Sequence, residues 1–383
     1  MEPGSEISEL GPDSAQDRSL VPHLVKMSHS LDPSKLASEY DALLIVGFGG
    51  PERRDDVLPF LENVLRGRPV PRERMLEVAE HYYHFGGVSP INQQVRDLIL
   101  ALRGELDRRG VTLPIYWGNR NWHPMLAETV QKMADDGIGH ALGVVLSAYS
   151  SYSGCRQYRE DILKAREGVG PKAPVIDKMR VFYNHPDFVE VNARKIVDAL
   201  ATWPEADRGK AHVTFTAHSI PSPMADRCDY ERQLNETCRL VAEAARVNPA
   251  HWTLAYQSRS GRPTDPWLGP DILEHLADLK GRGVGRVVVQ PVGFLSDHME
   301  VLFDLDEEAA TKAKELGVDF VRAGTAGTDP RFVEMFADLI QERIEGKAER
   351  AAIGEFPAGH DVCPVTCCLP TPRPESRPAA VAS

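Results

Sequence analysis

Eight short, apolar, β-branched runs alternate with stretches of helical periodicity along this chain, and that alternation limits the folds open to it more than any other feature. The runs are DALLIVGF (41–48), LPIYW (113–117), HALGVVLS (140–147), PVIDKMRVF (174–182), HVTFTA (212–217), WTLAYQ (252–257), GRVVVQPV (285–292) and VDFVR (318–322). Apolar residues recur at helical spacing near 54–65, 90–109, 124–136, 156–167, 186–202, 229–246, 270–281, 300–316 and 330–345. Such alternation predicts parallel sheets covered by helices on both faces, an α/β fold. Eight strands could close a barrel, but the helix-rich stretch 183–210 divides them four and four. Two doubly wound domains facing a cleft are therefore expected, at 40–183 and 184–326. A final helix within 327–349 is expected to pack back on the first domain. Residues 350–383 read as a Cys-bearing extension and tail, and 1–39 as a disordered tail with Met27 an alternative start.

A length of 383 residues suits two such domains, and 42% hydrophobic with 26% charged residues is ordinary for a globular protein. The net charge of −12 argues against a nucleic-acid partner, which would need a basic face. No apolar run approaches the ~18 residues of a membrane span. The N-terminal MEPGSEISELGPDSAQDRSLVP has neither a basic n-region nor an apolar h-region, so no secretory signal is read and a cytoplasmic protein is expected. Six cysteines are too few for a disulfide scaffold, and a reducing cytoplasm would leave them free.

In open α/β sheets ligands sit beyond the carboxyl ends of strands. Those ends carry GFGGPERR (47–54), SAYSSYSGCRQY (147–158), TAHSIP (216–221), YQSRSG (256–261) and FLSDHME (294–300). The first is no dinucleotide loop, because Glu52 stands where GxGxxG needs its third glycine and Pro51 intrudes. SDHMEVLFDLDEE (296–308) sets Glu300, Asp304 and Glu308 at i, i+4 and i+8. A helix would put them on one face, where like charges repel by a few tenths of a kcal/mol per pair. Acidic residues on a surface helix are most often a solvated face, and a lone strand-end histidine such as His218 is most often structural.

Together these stretches resemble the ferrochelatase family, which inserts ferrous iron into porphyrins. The resemblance covers roughly 41–345 and rests on HFGGVSPIN (84–92), GNRNWHP (118–124), SSYSGC (150–155), TAHSIP, YQSRSG with PWLGPD (266–271), and SDHMEVLFDLDEE. It implies two Rossmann-like, chelatase-type domains, each a parallel four-stranded sheet flanked by helices, with the porphyrin in the cleft. Metallation removes two pyrrole protons and strips water from the metal, so a group of near-neutral pKa facing the ring is wanted, and imidazole suits. The resemblance gives His218 and Glu300 as the catalytic, iron-contacting pair, with Glu300 and His298 on the wall facing His218. Asp304 and Glu308 would continue as an acidic relay. Oxygen and imidazole donors suit an iron that must be released, where thiolates would hold it. Which of His218 and Glu300 binds metal and which takes protons stays open.

The resemblance implies more. Many bacterial relatives have tyrosine where this chain has Phe48, which cannot ligate iron and is either a core aromatic or a porphyrin-stacking side chain. Some relatives carry a [2Fe–2S] cluster held by one internal and three C-terminal cysteines, which Cys155, Cys363, Cys367 and Cys368 match. The Cys367–Cys368 pair is tighter than that pattern, so zinc remains an alternative. Cys228 and Cys238 read as buried small hydrophobes. Arg66, Arg68, Arg72 and Arg74 in the polar stretch 66–87, with Ser89 and Tyr152, would meet a propionate-rich porphyrin, and guanidinium–carboxylate pairing favours coproporphyrin III over protoporphyrin IX. The wording of the motifs also looks most like actinobacterial enzymes that use coproporphyrin. The partners implied are the porphyrin, ferrous iron and other haem-pathway enzymes. The rival readings are a two-domain haem carrier without turnover and a cobalt or nickel chelatase.

Overall fold

The computed structural model describes residues 40–67, 70–260, 262 and 264–371. The expected tail at 1–39, residue Arg68 and the last part of the C-terminal tail lie outside the described residues. The first sheet comprises β1 (Ala42–Gly47), β2 (Ile115–Asn119), β3 (His140–Val145) and β4 (Val175–Lys178), all parallel, in the order β2-β1-β3-β4. The second comprises β5 (His212–His218), β6 (Trp252–Gln257), β7 (Arg286–Gln290) and β8 (Asp319–Arg322), again all parallel, in the order β6-β5-β7-β8. One plan is thus used twice. In each sheet the direction of winding reverses beside the first strand, which places a crevice between β1 and β3 and another between β5 and β7.

The α-helices of seven or more residues are α1 (Val57–Val64), α2 (Arg72–His84), α3 (Ile91–Arg108), α4 (Leu126–Asp135), α5 (Gln157–Val169), α6 (Pro186–Leu200), α7 (Tyr230–Ala244), α8 (Ile272–Gly281), α9 (Ala310–Leu316) and α10 (Pro330–Ile344). Their ends follow from local chemistry. The Asp271 carboxylate accepts the Leu273 N–H ahead of α8, and Asp329 accepts the Arg331 N–H ahead of α10, where Pro330 takes the first position. Gly317 closes α9 at φ +63°, a left-handed conformation that glycine adopts without strain. No helix among the described residues is long and apolar enough to cross a membrane.

Every residue of β1 is buried, which is why its sequence is continuously apolar rather than alternating. The largest core joins the two sheets: Leu43, Ile45 and Leu142 share it with Val213, Phe215 and Val288. Helix α10 sits at its centre and packs on both α3 and α6. Its Phe332 and Phe336 meet Phe182 edge-on, with centroids 6.4 and 5.3 Å apart. The outer faces are covered separately, by α4 and α5 through Val130, Met133 and Ile162, and by α8 and α9 through Leu276, Leu279 and Ala313.

Two expectations are corrected. Run 174–182 keeps only Val175–Lys178 as strand, because Met179, Val181 and Phe182 leave the sheet to fill the shared core. The stretch 66–87, read only as polar, contains the thirteen-residue helix α2. Only Met75 and Ala79 of α2 are buried, so it lacks the apolar stripe that reveals a helix in a sequence. The C-terminal extension lies along the body, held by polar contacts. The Asn184 side chain donates to the carbonyls of Ile353 and Phe356 at 3.3 and 2.8 Å, and Arg180 donates to the Ala351 carbonyl at 3.0 Å.

Candidate active site

His218 is the last residue of β5, and the Tyr230 hydroxyl on α7 donates to its carbonyl at 3.0 Å. Its Nδ1 hydrogen-bonds the Ser219 carbonyl, and since a carbonyl only accepts, Nδ1 carries the proton. Nε2 is then the lone-pair nitrogen, and it faces the Glu300 carboxylate at 3.9 Å. A single glycine permits this approach. A Cβ on Gly293 would lie 2.5 Å from the Ala217 Cβ, so the segment leaving β7 can cross the end of β5 only with no side chain there.

His298 caps the next helical turn: its Nδ1 accepts the Glu300 N–H at 3.2 Å, which leaves Nε2 protonated. Burial, more than its charged neighbours, holds His298 below the usual imidazole range. It is a neutral brace for Glu300. The chain then runs through a π-helical stretch, Leu302–Ala309, into α9. Such wide turns are uncommon and frequent at functional sites. Here it turns Asp304 inward, where its Oδ2 accepts from the Ser258 hydroxyl and from Gln257 Nε2 at 3.3 Å. Burial, reinforced by the Glu300 and Glu308 charges, pushes the Asp304 pKa up to about 7. Glu308 is raised by burial and by Asp271. The acidic row thus begins at half-exposed Glu300 and passes to an inner carboxyl poised near neutral.

The expected opposition of His218 and Glu300 is corrected. Strands β5 and β7 are hydrogen-bonded neighbours, so both residues stand on the same wall. The wall that meets Glu300 is built on α2, which carries Tyr82, and the loop after β1, where Phe48 is 37% exposed, joins it through Phe60. Phe48 packs edge-on against Phe60 at 6.2 Å, and Phe60 against Tyr82 and Trp122 at 5.7 and 6.4 Å. Burial and the charge of Glu300 both oppose ionisation of Tyr82, which places that phenol in the field of the facing carboxylate. Three contacts bridge the walls. His81 stacks on Phe303 at 3.8 Å, His84 pairs with Glu307 at 3.1 Å, and Gln94 donates to the Asp297 carbonyl at 2.5 Å.

Other expected residues are placed less centrally. Ser89 is buried, with its N–H on the Pro51 carbonyl at 2.8 Å. Arg66 hydrogen-bonds Asn63, and Arg74 pairs along α2 with Glu77 at 2.8 Å. The Tyr152 hydroxyl donates to Glu160 at 3.1 Å, which directs it along α5. The same region exposes Phe48, Val70, Leu76 and Val88, so it is less polar than its arginines suggested. Sequence reasoning did not single out Tyr82, Tyr230, Gln257 or Ser258. The available signal for Gln257 was register, since it pairs with His218 at the end of β6.

A second group of side chains gathers where the extension meets α5. Cys155 lies in a π turn, Tyr152–Arg156, and its thiol is in hydrogen-bonding contact with Cys363 and Cys368. Cys367 touches Cys363 and lies 3.4 Å from Cys368, closing a ring of four sulfurs. Protons shared around the ring push Cys155 and Cys367 down and Cys363 and Cys368 up. Arg156 ties the loop down through the carbonyls of Val365 and Cys367 at 2.7 and 3.0 Å. His360, which the sequence did not single out, brings Nε2 to 3.9 Å from the Cys367 sulfur. Four converging thiols fit a thiophilic metal centre. Cys238 is fully buried and Cys228 partly so, burial raising both thiols.

Comparison with known proteins bears on this arrangement. The ferrochelatase family model matches residues 40–344. A ferrochelatase of Rhodopirellula baltica is 56% identical over 335 residues, covering 87% of this chain and 95% of its own length. The coproporphyrin III ferrochelatases of Nocardia farcinica and Streptomyces coelicolor are 51% and 49% identical, covering 87% and 90% of this chain and 98% and 96% of their own. Among solved structures, SirB from Bacillus subtilis with Fe3+ aligns over 81% of this chain and 98% of its own at a TM-score of 0.51. At 14% identity that likeness speaks for the fold alone.

Proposed function

The chain belongs to the ferrochelatase family, a porphyrin metal chelatase of haem biosynthesis, and from that premise we propose that its porphyrin is coproporphyrin III and that His218 and Glu300 carry the metallation. The observation that supports the pair most is the lone-pair Nε2 of His218 standing 3.9 Å from the Glu300 carboxylate, at the head of an acidic row. Insertion replaces two pyrrole N–H protons with one Fe2+ and transfers no electron, so two protons must leave as the ion arrives. His218 Nε2 takes the two pyrrole protons in turn, releasing the first before it accepts the second, since its other nitrogen is committed as a donor to Ser219. Glu300 stabilises the imidazolium that forms and passes protons to Asp304, whose pKa near neutrality lets it both take and give them. The same carboxylates offer hard oxygen donors to the ferrous substrate without holding it as thiolates would.

Two lines support coproporphyrin III: relatives that bear that name, and the arginines of the mouth, which suit a four-propionate ring. The exposed apolar side chains of the same stretch favour the second reading, protoporphyrin IX. Anaerobic initial rates with Fe2+ and each porphyrin at equal concentration separate them. A clear preference for coproporphyrin III is expected, weakened in Arg66→Ala. Preference for protoporphyrin IX would sink the assignment.

Cys155, Cys363, Cys367 and Cys368 would hold a [2Fe–2S] cluster, which supplies a one-electron couple when bound. Iron insertion needs no electron. The contribution of these four residues is to fasten the extension to the body at Cys155.

A further inference from the structure

The thiol centre has more donors than a four-coordinate pattern uses. Cys155 and Cys368 form its buried side, each 3% exposed. Cys363 and Cys367 lie outside them, half-buried, and His360 is exposed. Among the described residues, His360, Cys363 and Cys367 form the one group of three or more histidine, cysteine or acidic side chains whose ligand atoms all lie within 4.8 Å of one another. Donors sharing one tetrahedral ion with metal–sulfur bonds of about 2.3 Å stand roughly 3.8 Å apart. The separations of Cys367 from His360, 3.9 Å, and from Cys368, 3.4 Å, are of that size.

His360 is also held where it stands. A Cβ on Gly359 would lie 2.8 Å from a Val181 methyl, so the chain is pressed against the body one residue earlier. One residue later, Asp361 is gripped by Arg350 and lies 3.7 Å from Arg343. Imidazole is an accepted ligand for iron and zinc and replaces cysteine in one class of two-iron centres.

We propose that His360 is a fifth donor of this centre, able to complete its outer position when Cys363 does not. The redundancy is confined to the solvent side. Among the described residues Cys155 and Cys368 have no such substitute, and Cys367 is needed in either arrangement because it touches both alternatives. This rests on the reading of the four thiols as a metal centre. A ligand set of this kind takes the metal either with four sulfurs or with three sulfurs and one nitrogen.

The test uses the full chain purified anaerobically, with bound metal measured directly and 14N coupling read by pulsed EPR on the reduced centre. Cys363→Ala should keep roughly half or more of the wild-type metal and show a directly bound nitrogen. Adding His360→Ala should then lower the metal at least about tenfold, to the level of Cys155→Ala alone. Far-UV circular dichroism confirms that each variant is folded. A Cys363→Ala protein as empty as Cys155→Ala, or one whose retained metal ignores His360, overturns the proposal and leaves the thiol centre standing. A wild-type protein with no bound metal overturns both.

Discussion

Asp304 is the residue whose behaviour follows most directly from its surroundings. Enclosure by protein, with Glu300 and Glu308 close by, favours the neutral acid and lifts its pKa from 3.8 to about 7. The folded state therefore holds this proton more tightly than the unfolded chain does. Between those two values stability falls as pH rises, and above them the full cost of a buried carboxylate is present. Asp304→Asn should accordingly raise the melting temperature at pH 8, by the equivalent of up to about 4 kcal/mol, with the gain shrinking as pH falls toward 4. The same variant should slow iron insertion and flatten the limb of the pH–rate profile near 7. An Asn variant no more stable than wild type at pH 8 would contradict the burial argument.

The elements around the site work by close approach. Gly293 lets the segment after β7 cross Ala217, and this crossing sets Glu300 beside His218. Gly293→Ala should cost about 1–3 kcal/mol in stability through overpacking. It should lower turnover far more than that loss explains, with porphyrin binding, followed by fluorescence titration, little changed. Turnover equal to wild type would show that the pair tolerates displacement.

At this scale the sequence was partly legible. All eight strands could be located: β1, β3, β5 and β7 because burial on both faces makes them largely apolar, and the less buried β2, β4, β6 and β8 from their short apolar and aromatic runs between helical stretches. The strand ends that carry His218 and Glu300 followed from them. Helix α2 could not be seen, since two buried side chains make no stripe. The shared wall of His218 and Glu300 was also hidden, because it depends on β7 lying beside β5, a fact of topology that no local pattern encodes. His360 precedes Cys363 and Cys367 by only three and seven residues, and it escaped notice because Cys155, Cys363, Cys367 and Cys368 already made up a ligand set of four.

On the scale of the whole molecule the two sheets are separate but their core is not. Leu43 and Ile45 of the first sheet, Val213 and Phe215 of the second, and Phe332 and Phe336 of α10 belong to one buried cluster. Neither sheet can lose its cover without exposing the other's. Thermal or urea unfolding should give one cooperative transition by both fluorescence and circular dichroism, whereas two transitions assignable to the halves would contradict a shared core.

This arrangement holds one wall of the cleft, with His218 and Glu300, against the other, with Phe48 and Tyr82, through His81–Phe303 and His84–Glu307. The central claim is that metallation runs through His218 Nε2, and it is tested by anaerobic iron insertion into coproporphyrin III by wild type and His218→Ala. Porphyrin affinity is followed in parallel. The account predicts a variant that folds and binds porphyrin normally yet inserts iron at least about 100-fold more slowly, the scale of a lost acid–base group. A variant that inserts iron at a near-normal rate would contradict it.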